Sequence, residues 1–280
     1  MQNFDYSNFD ISTIPGLFLP KAFFKNMAEM SLSEIGYVVA NTLLGRRFDS
    51  AAIKRLVDYA FCYDMPLSSD FPGFYRLDCS YGPNGHIDDA AARLSGAIAD
   101  LVAAETPETS PHKVKIVVCP RDIPVGQAKA YAGAACNAFP VIVDAPAEKC
   151  RAVVERMRAE NNVPPGVELR AVNNNNVGRI IALVIMLFHG YAGVLRLRRT
   201  RSLRNVAFEI DPGIPSLDIA VDIARKMDLW INLPEASESA LVVKLYSPAA
   251  GPVPASQAIP PTQSALMRKI NQIIASNVNQ

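Results

Sequence analysis

The chain has 280 residues, half of them apolar and a fifth charged, and its 28 basic side chains nearly cancel its 27 acidic ones. A chain of this length exceeds the usual size of one domain and buries a real core, so a large α/β body with a smaller appended unit is expected. The charge balance argues against nucleic acid as the default partner, and the longest apolar stretch, 180–188, falls short of the roughly 20 residues that would put the chain across a membrane.

From the N-terminus, the first ten residues carry two aspartates and no basic stretch followed by an apolar one. That is not the form of a secretory signal, and a cytoplasmic location is expected. Ser31 and Glu34 stand at capping-box spacing, with Ile35, Val38, Val39, Thr42 and Leu43 following at helical spacing. A second helix starts near Asp49 and carries Ile53, Leu56 and Val57. Residues 65–84 hold Pro66, Pro72, Gly73, Gly82 and Pro83 and read as turns, so a helical region over 1–75 is set apart from the remainder of the chain.

Between 76 and 246 the pattern alternates. Strands are expected at 114–119, 141–143, 167–172, 206–210 and 229–233, with helices over 127–137, 146–160, 177–189 and 217–227. Such alternation implies an α/β body of mostly parallel strands with helices on both faces. The tail, 247–280, begins with a stretch holding five prolines up to 261 and reads as an irregular connection. Thr262 then caps a last helix whose Leu266, Ile270, Ile273 and Ile274 form a stripe, either core packing or a homodimer contact. The five cysteines are scattered without a C-x-x-C pair, which favours reduced, mostly buried thiols over a disulfide or zinc framework.

Several segments in order carry a resemblance: G-L-F-L-P-K from Gly16, the helix pair after it, D-Y-A-F-C-Y-D-M-P-L at 58–67, and Gly82-Pro83-Asn84-Gly85-His86-Ile87-Asp88-Asp89. The order continues with Cys119 to Gly126, the Asn173–Asn176 run with Arg179, and Asp211-Pro212-Gly213-Ile214-Pro215-Ser216. Together they resemble threonine synthase from about residue 14 to about 235. The resemblance implies the fold type II (tryptophan-synthase-β-like) architecture of pyridoxal-phosphate enzymes, with parallel sheets, flanking helices and a small N-terminal helical region.

The same resemblance places the family's G-P-T-x-A-F-K-D segment on 82–89, so that Asp88 stands where the Schiff-base lysine is implied. A carboxylate forms no imine and cannot hold the aldehyde. The implied phosphate cup falls on 211–217, where Pro212 and Pro215 remove two backbone donors and Asp211 adds a repelling charge. That repulsion is on the order of 1 kcal/mol in water and several when partly desolvated. No cofactor is therefore expected, and the resemblance implies a degenerate site and not a working threonine synthase.

The candidate proton-transfer residues are Asp88, His86 and Asp122, in a cofactor-independent lyase- or isomerase-type reaction. Asn84, Asn176, Arg179, Gly213 and Ser216 are the candidates for holding a small anionic, amino-acid-like or phosphorylated metabolite. The rival is a noncatalytic pseudoenzyme that binds or scaffolds a partner. Acidic residues at 88 and 89 also suit a helix start, four asparagines before an apolar helix suit a turn and cap, and no metal site is expected. Arg196, Arg198, Arg199, Arg201 and Arg204 form a dense basic cluster, which reads either as a solvated loop or as a contact for an anionic partner.

Overall fold

The computed structural model describes residues 18–105, 114–120, 123, 125–133, 138–143, 146–163, 165–172, 177–211, 216–233 and 241–247. The chain divides into two compact units, one of Met1–Leu94 with Asn175–Ala249 and one of Ser95–Asn174 with Ala250–Gln280.

In the first unit, α1 (Lys21–Asn26) leads through a short 3-10 turn at Met27–Glu29 into α2 (Leu32–Leu44) and α3 (Ser50–Ala60). The capping box read at Ser31 sets the first of the longer helices, and the start read near Asp49 is also a side-chain cap. The Ser31 hydroxyl accepts the Glu34 N–H, and the Glu34 carboxylate accepts the Ser31 N–H at 2.7 Å. The Asp49 carboxylate likewise accepts the Ala52 N–H at 2.8 Å.

The sheet of this unit runs in the order β1 (Leu67–Phe71), β2 (Phe74–Asp78), β8 (Leu241–Tyr246), β6 (Val206–Asp211), β7 (Ile231–Asn232). The β1–β2 pair is antiparallel and the other pairings are parallel. Helix α7 (Val177–Arg198) packs on it, followed in chain order after β6 by α8 (Leu217–Lys226).

Three of these strands, β1, β2 and β8, go beyond the elements expected from the sequence, which reads 65–84 as turns. β1 reads L-S-S-D-F and lies at the sheet edge with its last four residues exposed, so it lacks the apolar alternation that marks a half-buried strand. Gly73, at φ 87, closes the hairpin, and this is why the proline and glycine there read as loop. β8 is central and its burial alternates between buried and half-buried, but its sequence L-V-V-K-L-Y carries apolar residues at both alternating sets of positions, so no apolar–polar alternation marks it.

The helix expected at 177–189 extends to Arg198. Gly190 and Gly193 look like a stop, yet they are places of close approach. A Cβ on Gly190 would stand 3.1 Å from Phe208, and one on Gly193 would stand 2.8 Å from Leu67. By length and composition α7 is long enough to cross a membrane, but 83% of its most apolar window is buried inside the protein. It is the helix around which this unit's core is built, each fully buried Leu, Ile or Phe contributing about 1.5–3 kcal/mol.

The second unit holds a parallel three-stranded sheet, β3 (Val114–Pro120) between β4 (Ala138–Val143) and β5 (Val167–Ala171), with α5 (Val125–Ala132) and α6 (Ala147–Ala159). Helix α4 (Asp88–Glu105) starts in the first unit and ends in the second. Ile116, Val118, Val141, Val153, Met157 and Leu169 form the core here. α5 stops five residues short of the expected 137 because Gly133 turns left-handed at φ 88, a common helix ending. The terminal helix expected from Thr262 lies outside the described residues. Cys79, Cys119 and Cys150 are buried and Cys62 is exposed, all as free thiols.

Candidate functional site

The site is built where parallel strands end. β2 and β8 pair in parallel up to Asp78 and Tyr246, and the Cys79 N–H continues the ladder to the Tyr246 carbonyl at 2.9 Å. The chain after β2 then turns through 80–87 into α4, while Ser247 follows β8. The Ser247 hydroxyl accepts the Ile87 N–H at 3.0 Å, which ties the loop to the neighbouring strand's end. Loops at the carboxyl ends of parallel strands are the usual ligand positions of such sheets.

Asp89 organises the loop. It is 1% exposed, and its carboxylate accepts the Asn84 N–H at 2.8 Å, the Asn84 side-chain amide at 2.7 Å and the His86 N–H at 3.4 Å. Such charge-assisted bonds are about twice as strong as neutral ones. Gly82 is required by the same packing, since a Cβ there would come within 2.5 Å of the Asp89 carboxylate. Gly85, at φ 69, supplies the left-handed bend.

Asp88 faces a different partner. Its Oδ2 accepts from Nη2 of Arg179 at 2.9 Å, joining the first turn of α4 to the first turn of α7 across 91 positions of sequence. Both side chains are shielded, with relative exposures of 16% for Asp88 and 6% for Arg179. The His86 ring caps the same helix start: its Nδ1 accepts the Asp88 N–H at 3.2 Å and lies 4.0 Å from the Asp88 carboxylate. In that geometry the ring proton of a neutral His86 resides on Nε2. Below the loop, the Tyr63 hydroxyl is buried without a hydrogen-bond partner among the described residues. Burial first, and then the negative charge of Asp89, push its ionisation up.

Of the eight residues singled out in the sequence, four converge: Asn84, His86, Asp88 and Arg179. Ser216 occupies the N-cap position of α8 with φ 79 and makes no side-chain capping bond to that helix. Asp122, Asn176 and Gly213 lie outside the described residues. Sequence reasoning missed the organising role of Asp89 and the tie through Ser247. Asp89 carries a signal, an acid at a helix start beside glycines, whereas nothing local marks Ser247, which acts 160 positions away from Ile87. Among the described residues no group of three or more histidine, cysteine, aspartate or glutamate side chains gathers as a metal cage.

Chemically, the cluster pairs a carboxylate with a guanidinium and sets an imidazole beside them. These residue types have the chemistry to orient an anion and to exchange a proton, and here the carboxylate is already paired with Arg179.

No family model matches the chain, and no curated protein matches it by sequence. Solved structures do match. Threonine synthase of Brucella melitensis, with pyridoxal phosphate bound, superposes with a TM-score of 0.61 at 17% identity, over 77% of this chain and 52% of that one. The Escherichia coli threonine synthase gives 0.57 at 15% identity over 81% and 55%, and the yeast enzyme 0.57 at 18% over 78% and 50%. The chain thus spans about half the length of the threonine synthases it matches. The architecture expected from the sequence resemblance is the observed one: the chain has the fold of threonine synthases, fold type II of the pyridoxal-phosphate enzymes.

Proposed function

We propose that this chain is a threonine-synthase-like protein that works without pyridoxal phosphate, and that its cluster at the start of α4 serves binding and not catalysis. The Asp88–Arg179 ion pair carries the reading. An imine requires a primary amine, and the described side chains around Asp88 are carboxylates, an imidazole, an amide and a guanidinium. In the same unit the described lysines are exposed at 21, 25, 54 and 226, while half-buried Lys244 stands 3.8 Å from Glu209. These residues do not fit a cofactor held as an imine at the start of α4.

The pair also weighs against Asp88 as a proton acceptor. A general base has to be open to its substrate, and here the guanidinium occupies the carboxylate. Of Ile87, Ile214 and Leu217, the residues that would fill the crevice, Ile87 is fully buried, Leu217 is half-buried and Ile214 lies outside the described residues. The test is titration with pyridoxal phosphate followed by borohydride trapping and mass spectrometry. The expected result is no reducible adduct at stoichiometric cofactor. A single trapped lysine would overturn the proposal.

A second reading keeps a small anionic, amino-acid-like or phosphorylated metabolite as the ligand, acting on it by acid/base chemistry at His86. Its support is the convergence of Asn84, His86 and Arg179 at strand ends. In it, an anion displaces Asp88 from Arg179. Thermal shift against phosphorylated and plain amino acids separates the two, because a ligand at 100 times its Kd stabilises by about 2.7 kcal/mol. The metabolite reading fails if no shift appears in the native chain and none in Asp88→Asn, where Arg179 has lost its competitor.

A further inference from the structure

The basic cluster near the end of α7 is not absorbed by the site at Asp88. Arg179 and Arg198 stand 19 residues apart on one continuous helix, about 28 Å at 1.5 Å per residue. The strand geometry agrees. Asp88 follows the carboxyl ends of β2 and β8, whereas the turn after α7 feeds the amino end of β6.

That turn is fixed. The Thr200 N–H bonds the Leu195 carbonyl at 3.1 Å, and Arg199 adopts φ 52. The Tyr191 hydroxyl donates to the Leu203 carbonyl at 2.7 Å and accepts the Leu203 N–H at 3.1 Å, so buried Leu203 pins the turn to the helix. Arg196 donates to the carbonyls of Ala28 and Met30. Arg198, Arg199, Arg201 and Arg204 are exposed and have no ion pair among the described residues. Cations in the last turn of a helix complement its dipole, which accounts for Arg196 and Arg198. Arg199, Arg201 and Arg204 lie beyond that turn and neutralise no carbonyl end.

An exposed tryptophan is joined to the same turn through the backbone. The Val206 N–H, two residues after Arg204, bonds the Trp230 carbonyl at 3.3 Å, and Trp230 is 61% exposed. The near-zero net charge of the whole chain therefore conceals a local excess: four exposed guanidinium groups within seven residues, in a segment that leads directly into the strand bonded to exposed Trp230.

We propose that this end of the unit binds single-stranded nucleic acid, with phosphates held by Arg198, Arg199, Arg201 and Arg204 and a base stacked on Trp230. Guanidinium forks match phosphate in a way that ammonium groups do not, and the cluster is arginine throughout. An acidic lipid surface reads charge without direction and takes lysine equally. An exposed aromatic beside a cationic track is what binding to an unpaired strand uses.

The chain has one tryptophan, so its fluorescence reports this position alone. Titration of the full chain with an oligonucleotide of about 12 nucleotides should quench the indole emission saturably. Four neutralised phosphates predict a slope of about −3 for log K against log salt, from about −0.7 per contact on single strands. Arg199→Gln with Arg201→Gln should halve that slope, and Trp230→Ala should weaken binding of a labelled oligonucleotide about tenfold. Circular dichroism of these surface variants should match the parent. Three results would overturn the proposal: no quenching, equal affinity for inorganic polyphosphate, or binding to anionic vesicles in preference to the oligonucleotide.

Discussion

Replacing Asp88 by asparagine removes a charge while keeping the shape of the side chain, and its cost follows from where Arg179 sits. A guanidinium and a carboxylate in direct contact have charge centres about 4 Å apart, worth about 4 kcal/mol at an effective dielectric of about 20. Arg179 is 6% exposed, so water cannot replace the lost partner. Leaving one buried member of such a pair unmatched costs about 3–5 kcal/mol, and the partial access at Asp88, 16% exposed, places this case at about 3. For a chain of this size that is a fall in Tm of roughly 6–12 °C. Arg179 has interactions beyond Asp88, so Arg179→Gln should cost more than Asp88→Asn. The double variant should be less unstable than the sum of the two by about 2 kcal/mol, within the range of contacting pairs. Urea denaturation of the four proteins measures the cycle. Additive losses, or an Asp88→Asn variant as stable as the parent, would refute the pair as the element that closes the site.

Gly82→Ala pushes a methyl group into the Asp89 carboxylate, 2.5 Å away, and should lower stability by about 2–4 kcal/mol through the bonds to Asn84, read by urea denaturation. Gly96→Ala brings a Cβ within 2.0 Å of the Ala130 carbonyl, a backbone atom that cannot rotate aside, and should destabilise by about 1–3 kcal/mol in spite of its better helix propensity. Ser31→Ala removes the capping box of α2 and should cost about 1 kcal/mol in the same measurement. His189 is half-buried, with Nε2 bonded to the Met65 carbonyl at 3.0 Å and Nδ1 buried without a hydrogen-bond partner among the described residues. Burial lowers its pKa from the ordinary value of 6.5, aided by the positive charge of Arg196 and opposed by the Met65 bond and Asp64. The unfolded chain therefore binds the proton more readily, and the contribution is fully present above pH 6.5 and lost as pH falls below it. Tm measured against pH should fall below that point in the parent and flatten in His189→Gln.

What the sequence made legible was local. The caps at Ser31 and Asp49, the strands at 114–120 and 167–171, and α6 and α8 each announce themselves within a dozen residues by period, cap or turn chemistry. What it hid was tertiary. β1 is too polar to read as a strand because an exposed edge asks nothing apolar of it. The length of α7 is hidden by two glycines whose purpose is to admit Phe208 and Leu67. The Asp88–Arg179 contact joins residues whose individual motifs give no distance between them, so only the order of motifs in the resemblance set them in one neighbourhood.

The loop before α4 explains how a residue at its centre can change chemistry without loss of the loop. Its backbone is held by Asp89 through Asn84 and His86, and by Ser247 through Ile87. None of those bonds uses the side chain at 88. An amine or a carboxylate at that position leaves the turn intact, and what a carboxylate needs in addition is a counter-charge within reach. Arg179 supplies it from α7, a helix held by its own buried core. On the proposed reading, a step from an imine-forming position to an ion-paired one would be small in structure and complete in chemistry, because the bonds that hold the loop would persist while the side chain at 88 closes on Arg179.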